Sequence, residues 1–504
     1  MAYTRLNLTN GTKLDETHLK HIEDGIVNNN IISVQPTIDL GGLKSTGEFQ
    51  PKWYDRVFYR TPKYLYVLQN SVTITASVDC VIRIFEYDKT FSCLTYQDYS
   101  AFSANVAKSV TLSEGTNYIR LAISKDKTFA TNFGLPVITI NGISNEEFFN
   151  IRPSDEGYLR LVIPINVVNP NASDEETYAV QDQMELMPDY GILVLPKNYS
   201  NIGKPTRLII YCHGAAVHYT ESSTRFVETD CDPNYWLAEG YAIMDMHGNP
   251  FDATHPHIYI PQARQAYLAG YNWVINNFNI CRDGIFLGGR SMGGGTVFEL
   301  LRTNLPVIAA CPLACVTNTL YHWSILNPSR KTFLAEHMGF KGTQPSWTNV
   351  ATLSEEELQY LDNNFDKLVQ CSAIYEGIDN LPDKEDLINA SKGISPNTTS
   401  DENEAAFFNK LRYKAKAPIK IFCAKEDTSA PYLRNAVYMQ RMLTNAGCVN
   451  ELRLFSTDAS NAHRFELSDS RAYVNHTTIF GEVVSAPVAY IEMLQFWRRY
   501  EKTV

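Results

Sequence analysis

The period of hydrophobic and polar positions changes twice along the chain. Around Leu14–Val27, Leu19, Ile22 and Ile26 recur at helical spacing on an otherwise polar segment, which predicts one short helix with a narrow apolar stripe. Such a helix is too short to stand alone in water, so the stripe packs either on copies of itself about an axis or on the domain that follows. From about Thr37 to Gly142 the period becomes two. Val72–Val78, Val81–Phe85 and Tyr118–Ile123 alternate between turn-forming residues, predicting a small antiparallel sandwich. After Asn150 continuous apolar runs take over and alternate with helical patterns. Gly191–Pro196, Arg207–Cys212 and then Tyr241–Asp245 read as buried strands, and Val307–Cys311, Ile419–Cys423 and Glu451–Phe455 as further strands, of a mostly parallel sheet covered on both faces. A helix from Pro261 carries Ala266, Tyr267, Tyr271, Val274 and Phe278 on one face, and Pro487–Tyr500 closes the chain as an amphipathic helix. The expected domains are a helical segment over 1–36, the sandwich over 37–150 and an α/β domain over 151–504, with an irregular insertion at about 317–417.

The chemistry centres on Ile285–Gly295. An apolar run enters Gly289-Arg290-Ser291-Met292-Gly293, and helix-compatible residues follow, so the serine stands on a strand-to-helix turn. That turn is tight enough to require residues without bulk two before and two after the serine, and Gly289 and Gly293 meet the requirement. The helix beginning at Met292 aims its free N–H groups at the reacting atom. The competing reading is a structural glycine turn with an incidental serine.

Charge and cysteine usage narrow the partners. The formal net charge is −11 and there is no Lys/Arg-rich run, so neither nucleic acid nor an anionic membrane is expected as a partner. No apolar segment has the length of a membrane span, and the N-terminus lacks the apolar core of a secretory signal. The ten cysteines show neither zinc nor disulfide spacing, and Cys212, Cys311 and Cys423 fall in apolar strands, which points to folding in a reducing cytoplasm. No cofactor and no metal is expected. His247, His255 and His257 invite a metal reading, but their spacing fits no zinc pattern.

From about Gly157 to the C-terminus the order of elements around this elbow resembles the α/β-hydrolase fold. The resemblance implies an acid in a strand-end loop and a histidine after the last strand. Asp427 in Lys425-Glu426-Asp427-Thr428 and His463 in Asn461-Ala462-His463-Arg464 fit, with Glu426 the rival acid and His476 the rival base. A serine hydroxyl becomes a nucleophile when a neutral imidazole takes its proton, and the carboxylate holds the imidazole in the right tautomer. His213-Gly214-Ala215-Ala216 resembles the family's oxyanion loop, so the backbone N–H groups of Ala215 and Met292 are the implied donors; alanines stand where many members carry glycines. The insertion reads as a cap whose Tyr321, Trp323, Trp347, Tyr360 and Tyr375 suit sugar rings, peptides or aryl esters alike. His213, His247 and Trp323 are expected to contact substrate.

Two further resemblances bear on where the chain works. Asn10–Leu14 followed by His18–Ile26 is similar to the opening segment of bacteriophage tail and baseplate proteins, in which it attaches a fibre or enzyme at a symmetry axis, often three-fold. Phe85–Lys89 and Thr116–Arg120 resemble the jelly-roll, carbohydrate-binding-like modules of such proteins. Trp53, Tyr54 and Tyr59 there would either stack on sugars or pack as core. Together these imply a homotrimeric, virion-borne tail protein that deacylates a bacterial surface polysaccharide or teichoic acid, in company with other tail proteins. A serine peptidase and a non-catalytic receptor-binding protein are the alternatives.

Overall fold

The computed structural model describes residues 35–36, 39–40, 42–43, 49–50, 58–61, 64–89, 93–125, 136–148, 151–153, 158–168, 186–200, 204–215, 234–249, 257, 260–318, 321–323, 326–337, 340–348, 353–365, 378–379, 402–456, 462–464 and 473–501. The chain divides into two compact units, Met1–Arg152 and Pro153–Val504. The expected helix over Leu14–Val27, together with Trp53, Tyr54, His255 and Tyr375, lies outside the described residues.

In the first unit a seven-stranded and a three-stranded antiparallel sheet enclose one apolar core. Ser71–Ala76 shows why: its even positions Val72, Ile74 and Ala76 are buried while Thr73 and Thr75 are half-exposed, the alternation of a strand with one face in the core. Of the two readings left open for Tyr59, sugar platform or core, the structure shows the second. The residue is 4% exposed and belongs to this core, paired through its strand with the central strand Tyr118–Ser124.

In the second unit the strands are Leu159–Val168 (β1), Leu186–Leu195 (β2), Leu208–Cys212 (β3), Ala242–Met246 (β4), Ile285–Arg290 (β5), Val307–Leu313 (β6), Ile419–Ala424 (β7) and Asn450–Phe455 (β8). They lie in the order β1-β2-β4-β3-β5-β6-β7-β8. β2 runs antiparallel to both neighbours, and the strands from β4 to β8 are parallel. This mixed, mostly parallel sheet with covering helices is consistent with the α/β-hydrolase expectation. The apolar runs that predicted β3, β4 and β5 are buried at every position, because a parallel sheet carries helices on both faces.

Asn234–Ala238 (α1) packs on β4, Pro261–Asn277 (α2) on β1, β2 and β4, and Met292–Leu301 (α3) on β3, β5 and β6. Pro328–His337 (α4), Glu355–Asn363 (α5) and Glu402–Phe408 (α6) fall in the insertion. Ala436–Asn445 (α7) covers β7 and β8, and Val488–Tyr500 (α8) covers β6 and β7. The first strand that the sequence reading gives this unit begins at Gly191, whereas the structure starts that strand at Leu186 and adds Leu159–Val168 before it. The structure also adds the hairpin Tyr473–Thr477 (β9) and Val483–Pro487 (β10), whose residues before Ala486 are half-exposed or exposed. No helix among the described residues is long and apolar enough to cross a membrane.

Candidate active site

Ser291 follows the last residue of β5 and precedes the first of α3, with φ 58° and ψ −119°. Positive φ is costly for a residue with a Cβ, so the surroundings must hold it there. They do so through the backbone: the Ser291 N–H donates to the Leu313 carbonyl (3.0 Å), and the Ser291 carbonyl accepts from Val316 N–H (3.0 Å). Both partners lie at the exit of β6, the neighbouring strand. They carry no signal in the sequence, since any residue supplies these groups.

Two glycines make the turn possible. A Cβ on Gly289 would stand 2.6 Å from the Gly293 carbonyl oxygen, and a Cβ on Gly293 would overlap the Cys212 carbonyl. The same contacts put the end of β3 directly against the first turn of α3. The segment His213–Ala215 therefore emerges beside the first turn of α3, the end of a helix at which a developing oxyanion would be received.

Asp427 lies in the loop after β7 and is buried. Its Oδ1 accepts the N–H groups of Ser429 (2.8 Å) and Ala430 (3.0 Å), and its Oδ2 lies 2.8 Å from His463 Nδ1. A carboxylate can only accept there, so Nδ1 carries a proton, and of the two neutral tautomers this fixes the one whose Nε2 lone pair a general base requires. His463 sits on the 3-10 turn Ala462–Arg464 after β8, half-exposed. Ser291, Asp427 and His463 thus all follow the C-terminal ends of parallel strands in one stretch of the sheet, where ligands of such sheets bind.

The rivals go elsewhere. Glu426 accepts the Ser456 hydroxyl (2.9 Å), and His476, on β9, meets the buried Glu239 (3.0 Å), whose other oxygen takes Arg498 (2.7 Å). Glu239, just after α1, thus bridges the hairpin to α8.

The three residues expected to contact substrate are corrected by their burial: His213 is 0% exposed, His247 1% and Trp323 1%. The His213 ring nitrogens face the carbonyls of Gly214 (3.0 Å) and His247 (3.3 Å), which makes the ring a brace between two strand-end loops. His247 stacks on Tyr190 with centroids 5.1 Å apart, and His257 meets His213 edge-on. Burial and its two imidazole neighbours push the His257 pKa well below the usual value, so the ring stays neutral. Among the described residues no group of three His, Cys, Asp or Glu is arranged to hold a metal.

Trp323 belongs to the interior of the insertion. It stacks on Phe340 (5.6 Å) and touches Trp347, which meets Tyr360 edge-on. Tyr321 and Tyr360 are buried as well. These aromatics give the insertion a core of its own.

No family model matches this chain, and no curated protein matches it. Among solved structures it is similar to an acylaminoacyl peptidase from Pyrococcus horikoshii at 12% identity and TM-score 0.35, covering 63% of this chain and 41% of the peptidase. It is also similar to a rice cell wall degrading esterase from Xanthomonas oryzae (14% identity, TM-score 0.36, 60% of this chain and 85% of the esterase). A third is an acetyl xylan esterase from Paenibacillus sp. R4 (11% identity, TM-score 0.35, 62% and 80%). The chain spans less than half the length of the peptidase.

Proposed function

We propose that this chain is a serine hydrolase, and specifically an esterase that removes acyl groups, most simply acetyl, from a bacterial surface glycopolymer. The observation that carries the hydrolytic reading is the Asp427–His463 hydrogen bond at the same sheet edge as a serine held at positive φ. Ser291 Oγ attacks the ester carbonyl carbon while His463 Nε2 takes the hydroxyl proton. The backbone N–H groups of Met292 and Ala215 receive the oxyanion. Collapse breaks the C–O bond to the sugar, whose oxygen takes the proton from His463, and leaves an acyl-serine. Water, deprotonated by His463, then attacks the acyl-serine and releases the carboxylic acid.

The glycopolymer, polysaccharide or teichoic acid, comes from the N-terminal resemblance. A hydrolase carried on a phage tail beside other tail or baseplate proteins meets the host's surface polymer first. In that setting the chain is a virion protein assembled as a trimer about its N-terminal helices, and light scattering of the full chain should read three copies.

The test uses purified protein on p-nitrophenyl acetate, on peptide amides and on acetylated host wall polymer. The expected result is acetate release from the ester and the polymer, with peptide amides cleaved far more slowly. Faster amide cleavage makes the chain a peptidase. Polymer binding without release of acetate makes it a receptor-binding protein.

A further inference from the structure

Asn435 stands at the N-terminal boundary of α7, where an asparagine ordinarily turns its side-chain oxygen onto the free N–H groups of its own helix. It makes no such bond. Its Oδ1 instead accepts the backbone N–H groups of Thr317 (2.9 Å) and Asn318 (3.0 Å), and its Nδ2 donates to the Pro431 carbonyl (3.1 Å). The residue is fully buried.

Those bonds join the two segments that carry the chemistry. Thr317 and Asn318 continue the exit of β6, whose Leu313 carbonyl and Val316 N–H hold the Ser291 backbone. Pro431 directly follows Ser429 and Ala430, whose N–H groups grip the Asp427 carboxylate. The sheet fixes where β5, β6 and β7 end, but it does not fix the loops beyond them. Across that gap one amide links the nucleophile's support to the acid's support, and two buried N–H groups converge on its oxygen.

We propose that Asn435 is a positioning residue that sets the reach between Ser291 and the Asp427–His463 pair by locking the exit of β6 to the acid loop. This rests on the serine-hydrolase reading. The part that matters is the acceptor oxygen. Leucine has nearly the same shape and no acceptor, which leaves two buried N–H groups unbonded and the loops free to shift. Aspartate keeps the acceptor, and buried against the Pro431 carbonyl its second oxygen takes up a proton and donates where the amide nitrogen did. Displacement of a reacting group by about 1 Å costs on the order of a hundred-fold in rate, so the effect falls on kcat.

The experiment compares wild type, Asn435→Leu, Asn435→Asp and Ser291→Ala on p-nitrophenyl acetate, a substrate too small to depend on the insertion, and follows the rate of fluorophosphonate labelling. The leucine variant should lose roughly 10- to 100-fold in kcat with KM within about 3-fold, and label more slowly in parallel. The aspartate variant should return to within about 3-fold of wild type. A folded leucine variant with wild-type kcat, or an aspartate variant as impaired as leucine, overturns the proposal. If the leucine variant does not fold, the aspartate variant decides alone, since low kcat in a folded protein that keeps the acceptor contradicts the clamp. A wild type that neither turns over nor labels, like Ser291→Ala, sinks the hydrolase reading instead and is told apart by that control.

Discussion

Asp189, on β2, is fully buried, and its Oδ2 accepts the Gly248 N–H at 2.8 Å. Burial pushes its pKa up to about 7, with the N–H groups of Tyr190 and Gly248 offsetting part of that effect. The folded protein therefore holds a proton on Asp189 between about pH 4 and pH 7 that the unfolded chain has lost. The sign follows: stability from this group is present at low pH and is lost as pH rises through 7. Asp189→Asn should thus melt higher than wild type at pH 8, with the gain shrinking toward zero near pH 4. A unit as long as Pro153–Val504 moves about 1–2 °C per kcal/mol. A variant less stable at pH 8, or shifted equally at all pH values, contradicts the account. Nothing local in the sequence marks Asp189, since its state is set by strands that meet only in the fold. Ser291, Asp427 and His463 could be singled out because each follows a legible strand end. Asn435 could not, because its partners at 317 and 318 lie more than a hundred positions away.

Among the elements, strands β3 to β7 were legible because their apolar runs are bounded by turn residues, and β8 because Leu452 and Leu454 alternate with charged neighbours. The aromatics of the insertion were misread for a reason of scale. An aromatic among polar residues signals a binding surface only if the segment lacks an interior, and this one has an interior organised by a buried ion pair. Lys331 Nζ on α4 meets Glu357 Oε1 on α5 at 2.9 Å, with both side chains 0% exposed. Burial alone would raise the Glu357 pKa, but the N–H groups of Thr348 and Ser354 and the Lys331 ammonium more than offset it and the net shift is downward. Glu357 also closes the capping box with Ser354. Removing one partner of such a pair leaves a charge buried alone, at a cost of about 3–5 kcal/mol. Lys331→Met should therefore speed hydrogen exchange across 328–363 while the strands of the sheet stay protected. Unchanged exchange there would show that the pair does not organise the insertion.

For the molecule as a whole, the change of period near Asn150 marked the passage from alternating strands to an α/β sheet, and the contacts divide the chain at Arg152. The phage-tail role, the trimer and the glycopolymer rest on the N-terminal resemblance, while the chemistry rests on the second unit. Everything proposed for that unit depends on Ser291 being an activated nucleophile, and the most direct measurement is the site of covalent modification by a fluorophosphonate probe, mapped by peptide mass spectrometry. The account predicts one adduct, on Ser291, absent in Ser291→Ala and formed far more slowly in His463→Ala. An unlabelled wild type, or an adduct on another serine, would contradict it.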